Sequence, residues 1–462
     1  MKARQWRLSL LMLTLAALLV ACGGGGAASP TAAPVPGGEE TAPTAAPAGG
    51  EATTAPAGGE QTAAPGECPA SAQGQTVTLW SPLTGPDGQF MTQLADRFSQ
   101  ENAQGIRVSH VPQPDYLQKL NTAAAGGNLP EMTVIRADDI AEMALRNILK
   151  PISADALTIM GGEELGGQFP EQVWSIGELN GNRYTIPLDV HPLVLYYNTE
   201  MFEAAGLEPP TTGEEFDAAA AALTSGDVTG VAIGTAFQAG TLFWTLLRQY
   251  GGQAFNEDGT EATYNSEEGV RALTYLQELK QTYSPDVSGA GDPEVTLFTQ
   301  GRAAMVIHGP WHISNLEQLP FTGFAPLPQW GDEFAVWGGS HQLAFTTDDP
   351  ARQAAAACWT DWLSRNSAEW ARAGQVPVRQ EVRESGNLAE VAAPVAAFAD
   401  EVEGVIMPVP VPGLVPAVWG EGFGRAVDAV LLGEAGDIQA ALDEAVARSN
   451  QILEQNRQRY GQ

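Results

Sequence analysis

Several of the chain's eleven tryptophans stand beside Gly, Pro or His rather than inside helical stripes. The clearest case is Gly301 to Asn315, GRAAMVIHGPWHISN. Ala303 to Ile307 reads as a short buried strand, which Gly309 and Pro310 break. Trp311 follows where a helix can begin, with Ser314 and Asn315 nearby. A strand ending in a tight turn delivers a flat ring to the open end of a sheet, where α/β proteins bind ligands. An indole there offers an apolar face to the C–H face of a sugar ring, while its N–H can still find a partner. The same ring can equally be core packing. Asp138 and Asp139 follow a strand-like run; they can hydrogen-bond hydroxyl groups or cap the next helix. They are adjacent, so they do not supply the separated carboxylate pair of a glycoside hydrolase. No nucleophile–base arrangement and no His or Cys metal-ligand set is read in the sequence, so neither an enzyme nor a metal or other cofactor is expected.

Alternating elements must position these groups. Thr76 to Trp80, Ile106 to Val111 and Met132 to Ile135 read as strands. Between them lie helices marked by Phe90, Leu94 and Phe98, and by Tyr116, Leu117 and Leu120, the latter capped by Asp115. This alternation predicts an α/β fold with mostly parallel sheets flanked by helices. Tyr184 to Asn198 differs: two strand-like runs are joined by only Asp189 to Pro192, too short for a helical crossover, so the chain can pass between lobes there. A helix over Thr199 to Ala205 stops at Gly206, and Thr212-x-x-Glu215 is a capping box for the next. Val231 to Thr235 reads as a strand, followed by a helix carrying Phe243, Trp244 and Leu247, and Asp292-Pro293 starts another. The irregular run Ala325 to Gly339 suits a second crossing. His341 to Thr346 reads as a strand and Pro350 to Leu363 as a helix. After Val376 to Arg379 only helical patterns remain, ending with Ile438 to Tyr460.

With 462 residues and 44% hydrophobic content, two domains or lobes are expected. A net charge of −32 argues against a nucleic-acid partner, whose phosphates need clustered Lys and Arg, and suits an exported protein. Lys2, Arg4 and Arg7 followed by apolar Leu8 to Val20 form a targeting segment. It ends in Leu19-Val20-Ala21-Cys22, which resembles the lipobox of bacterial lipoproteins. That resemblance implies a signal peptide over 1–21, cleavage before Cys22, a lipidated (palmitate-bearing) Cys22 and a membrane anchor. Residues 22–74, rich in Gly, Ala, Pro and Thr, read as a disordered tether. Cys68 falls in that tether and Cys358 in an Ala-rich helix, and so wide a spacing gives no disulfide framework.

Four segments, in order, resemble the extracellular solute-binding proteins, family 1, of ABC importers, the sugar-binding kind. They are Pro114 to Pro151, with Glu131 in place of the usual Asp before the third strand; Pro187 to Pro210, with Tyr197-Asn198 and an Ala-Gly-Leu-x-x-Pro run; Phe298 to Trp311, with Phe-x-x-Gly-x-Ala-Ala-Met followed by Gly-x-Trp; and the Gly374 to Arg379 turn. The resemblance implies a two-lobe, type II periplasmic-binding-protein-like fold whose hinged interlobe cleft closes on ligand. Residues 75–190 and 338–388 are assigned to one lobe, and 191–337 and 389–462 to the other. It implies a carbohydrate ligand, a membrane permease partner, a monomer, and a location on the outer or periplasmic face of a bacterial membrane. The same fold with a polyamine, organic acid or metal chelate is the alternative.

Trp311 matches the family's cleft tryptophan, and His191 falls where the crossover carries a polar contact. Trp80 and Thr84 lie on the first strand-to-helix loop. Phe243 and Trp244 occupy the family's aromatic site, with one of the two expected to be core. Trp337 and His341 flank the second crossing, Trp419 lies near a third, and Arg379 either forks onto the ligand or pins a lobe. Tyr197 and Asn198 are expected to be structural.

Overall fold

A computed structural model describes residues 67–284, 287, 291–407 and 409–461. The signal segment, Cys22 and most of the tether lie outside the described residues.

Three sheets organise the body. The first has strand order Arg107–Pro112, Thr76–Ser81, Met132–Arg136, His341–Phe345, Thr185–Pro187. Its first three strands are parallel, as strand–helix alternation requires. His341–Phe345 runs antiparallel to both neighbours, because the chain re-enters this sheet from a crossing instead of through a helix. The second sheet is ordered Thr322–Ala325, Val194–Asn198, Ala303–His308, Thr229–Ala232. Ala303–His308 is parallel to Thr229–Ala232 and antiparallel to Val194–Asn198, so both sheets are mixed.

The third sheet is made of the connections. Asp189–Pro192 leads from the first sheet to the second, and Val336–Gly339 leads back. The two pair antiparallel, Gly338 with Pro192 and Gly339 with His191. Val405–Ile406 joins Val336–Gly339 in parallel, a strand within a region where the sequence showed only helical patterns. Val376–Pro377 pairs with Asp189–Pro192 on the other side. The result is the α/β, two-lobed, type II architecture.

Local chemistry sets many boundaries. Thr212 and Glu215 form the capping box expected of them. Asn198 caps Thr199–Ala205, accepting from the Met201 N–H at 3.1 Å, and left-handed Gly206 ends that helix. Glu131, at the position of the family's Asp, accepts the Thr78 N–H at 2.8 Å and pairs with Arg352 at 2.8 Å, tying the first sheet to the helix Pro350–Arg365.

Other expectations are corrected. Asp115 sits at φ 55° and makes no capping hydrogen bond. Asp139 does not cap either; it accepts from the Tyr116 hydroxyl at 2.5 Å and pairs with Arg136 at 3.2 Å. Cys68 and Cys358 form a disulfide across 290 positions, with Cα atoms 5.6 Å apart. The turn Ala70–Ala72 packs on Pro350–Arg365, which brings the two cysteines together; spacing along the chain could not reveal that contact.

Candidate ligand-binding site

The break after Ala303–His308 works as its composition predicts. Gly309 has no side chain, so the Trp311 ring can lie directly over its backbone; a methyl group at 309 would collide with that ring. The Tyr196 hydroxyl donates to the Gly309 carbonyl at 2.7 Å and fixes the turn. Gly374, at φ +103°, lets the Gly-x-x-Pro-x-Arg turn press against the Pro310 carbonyl.

Trp311 is half-buried and belongs to a cluster of rings at the crossing strands. His191 lies 5.8 Å from Trp311, 6.2 Å from Trp337 and 4.7 Å from His341, centroid to centroid. Trp337 in turn lies 6.1 Å from half-buried Trp419. Trp244 reaches the same cluster, 6.1 Å from Trp419. Phe243 does not: it is sealed between Tyr264 and Phe423, on the core face of its helix.

The residue the sequence reading missed is Phe237. It opens the helix Phe237–Gln249, stays 37% exposed, and lies 5.6, 5.2 and 5.5 Å from Trp311, Trp337 and Trp419. A signal existed: Phe237, Gly240 and Trp244 share one helical face. Gly240 leaves room there for the Trp419 ring. Ala236, just before it, holds φ 57° and ψ −121°, and its N–H donates to Asp428 at 2.6 Å. A non-glycine residue in that region costs roughly 1–3 kcal/mol, and such strain clusters at functional sites.

Beneath the rings lies a buried ionic knot. The Asp189 carboxylate is fully buried and accepts from Trp370 Nε1 at 2.7 Å and from the His341 backbone N–H at 2.9 Å. His341 Nδ1 lies 2.9 Å from it and His191 Nδ1 3.3 Å. Burial works to raise the Asp189 pKa, but His341 and His191 overcome that and hold it well below the usual carboxylate range. Burial pulls His341 down, and Asp189 outweighs it, so His341 is raised; His191 is lowered, chiefly by burial. Asp138, in the turn Ala137–Asp139 that follows the first sheet's strand Met132–Arg136, faces Trp419; burial, then the Asp139 charge, pushes its carboxyl up to about 6.

The remaining candidates fall outside this cluster. Trp80 is half-buried against the apolar group of Tyr116, Leu120 and Ile135. Thr84 is exposed beside a shallow recess formed by Pro82, Gln113 and Arg136. Asp139 is occupied by Tyr116 and Arg136. Arg379 is buried against Ser364, Asp361 and Glu381, so it pins packing within its own region. A cavity lined by Phe237, Trp419, Arg425, Asp428 and Arg448 also borders two of these rings. One correction concerns metal ligands: His308 and His312 stand in a His-x-x-x-His spacing across the Gly309-Pro310 break, and the structure brings both against Asp292.

A family model described as bacterial extracellular solute-binding protein matches residues 82–370, more than half of the chain. The maltodextrin-binding protein MdxE of Bacillus subtilis (strain 168) is 28% identical over 287 residues, 59% of this chain. The match spans 65% of that relative's length, just under two-thirds. The sn-glycerol-3-phosphate-binding periplasmic protein UgpB of Escherichia coli is 26% identical over 67% of this chain and 76% of its own. Among solved structures, the sugar-binding protein MalE from Xanthomonas citri superposes with TM-score 0.72 at 23% identity, covering 84% of this chain and all of that one.

Proposed function

Because the chain belongs to the bacterial extracellular solute-binding protein family, we propose that it captures a carbohydrate in the aromatic cluster at its crossing strands and delivers it to an ABC-importer permease. The family is one of binding proteins, not of enzymes, and acts outside the cytoplasmic membrane. The observation that carries the reading is the grouping of Trp311, Phe237, Trp337 and Trp419 around His191 and Asp138. The part-exposed faces of Trp311, Phe237 and Trp419, backed by buried Trp337, suit the C–H faces of pyranoses, and the carboxyl and imidazole suit their hydroxyls. Neighbours named for maltodextrin and sugar binding support the same class.

Residues 75–190 with 338–388, and 191–337 with 389–462, are taken as the lobes that close on the ligand. Ligand contacts made with both lobes only in the closed state shift the equilibrium toward closure. The Cys22 lipid anchor and the tether hold a monomeric body at the membrane surface; among the described residues no helix is long and apolar enough to cross a membrane. Metabolic labelling with a fatty-acid analogue, lost in Cys22→Ser, tests the anchor. Tryptophan-fluorescence titration with mono- and maltooligosaccharides tests the ligand. Saturable quenching or shift by a sugar, weakened in Trp311→Ala, is expected. A response to polyamines or organic acids with none to any sugar refutes the ligand class.

A further inference from the structure

Behind the Trp311 turn, four ligand-type side chains converge from three elements. His308 ends the strand Ala303–His308 and His312 closes the turn Pro310–His312, while Asp292 and Glu294 lie at the start of the helix Pro293–Thr299. His308 Nε2 is 3.4 Å from Asp292 Oδ1 and 3.3 Å from Glu294 Oε1, and His312 Nε2 is 3.2 Å from Asp292 Oδ2. His308 and Glu294 are each only 2% exposed. Yet His308 Nε2, His312 Nε2 and Glu294 Oε2 have no partner at hydrogen-bonding geometry. The ligand atoms of Asp292, His308 and His312 all lie within 4.8 Å of one another. Gly234 leaves room for the Glu294 carboxylate, which any side chain at 234 would strike.

The spacing is informative. In a tetrahedral zinc site with bonds of about 2.0–2.1 Å, neighbouring ligand atoms are about 3.3–3.4 Å apart. Here three imidazole–carboxylate pairs approach at 3.2–3.4 Å without forming hydrogen bonds to each other. Two imidazoles with one carboxylate make a donor set suited to a divalent transition metal, and the Glu294 carboxylate beside His308 adds a second negative charge.

We propose that Asp292, His308 and His312 bind one divalent metal ion of the zinc class, with the Glu294 carboxylate beside His308. His308 Nδ1 lies 2.9 Å from the Gly309 N–H, which orients the ring with Nε2 toward the carboxylates. To bind the ion through Nε2 as a neutral imidazole, His308 moves its proton from Nε2 to Nδ1, and the hydrogen bond that Nδ1 accepts from the Gly309 N–H opens. Because His308 and His312 bracket Gly309, Pro310 and Trp311, the ion clamps the turn that carries the cleft tryptophan and ties it to the helix beginning at Pro293.

The test uses the full chain without a histidine tag, stripped by a chelator and titrated with Zn²⁺ against a fluorescent chelating competitor, with Co²⁺ as a spectroscopic probe. One ion per chain, a tetrahedral Co²⁺ absorption band, and at least tenfold weaker binding in both His312→Ala and Asp292→Asn are expected. Zn²⁺ should also raise the unfolding midpoint of the parent chain but not of the folded His312→Ala variant. No uptake, or uptake unchanged in both variants, overturns the proposal. Uptake abolished only by Asp189→Asn also overturns it, since that assigns the ion to the Asp189–His191–His341 group.

Discussion

Asp189→Ala should be among the most destabilising single substitutions in the chain. The carboxylate is fully buried and faces four donor positions: Trp370 Nε1, the His341 N–H, His341 Nδ1 and His191 Nδ1. Each hydrogen bond to a charged group is worth about 1.5–3 kcal/mol, and removing one partner of a buried ionic set typically costs about 3–5 kcal/mol because the others are left unpaired. The smaller, non-additive figure applies, since the four donors share one acceptor group. Its pH dependence separates the ionic contribution from packing. Asp189 titrates in the folded state well below the ordinary carboxylate range, so its contribution is present above that range and lost as pH falls toward the folded value. His341 titrates above the ordinary histidine value of about 6.5, so its contribution is full below that pH and lost as pH rises through the folded value. The parent chain should therefore show a stability plateau bounded by acid and alkaline declines, and Asp189→Ala should flatten both. Urea unfolding across pH, followed by tryptophan fluorescence, measures this. A loss under about 1 kcal/mol near pH 6, or unchanged pH flanks, would refute the reasoning.

Two further outcomes are expected. Phe237→Ala should weaken sugar binding by roughly tenfold, the scale of one lost aromatic contact, while leaving unfolding within about 0.5 kcal/mol because the ring is partly exposed; calorimetric titration paired with a melt checks both. Reducing the Cys68–Cys358 bond, or replacing both cysteines with Ser, should lower stability by about 2–5 kcal/mol, since it frees a loop of 290 residues; comparing unfolding with and without reductant decides it, and equal curves would count against a stabilising bridge.

What the sequence determined by itself is what depends on neighbours along the chain. Gly309 and Pro310 end a strand and present Trp311 because glycine admits the ring and proline stops the ladder. Thr212 with Glu215 starts a helix, Gly206 ends one, and Ile438–Tyr460 follows its apolar period. Ordered motifs from Pro114 to Arg379 carried the family and hence the fold. Only the tertiary structure decided which side chains meet across long separations. Asp139 abandons its helix for Tyr116, Cys68 finds Cys358, and Phe243 turns inward while Phe237, two turns earlier, faces Trp311. Asp189 gathers Trp370 and His341 from more than 150 positions away. Local turns and caps are set by backbone geometry within a few residues, whereas these contacts depend on how sheets and crossings pack, and sequence spacing carries no measure of that distance.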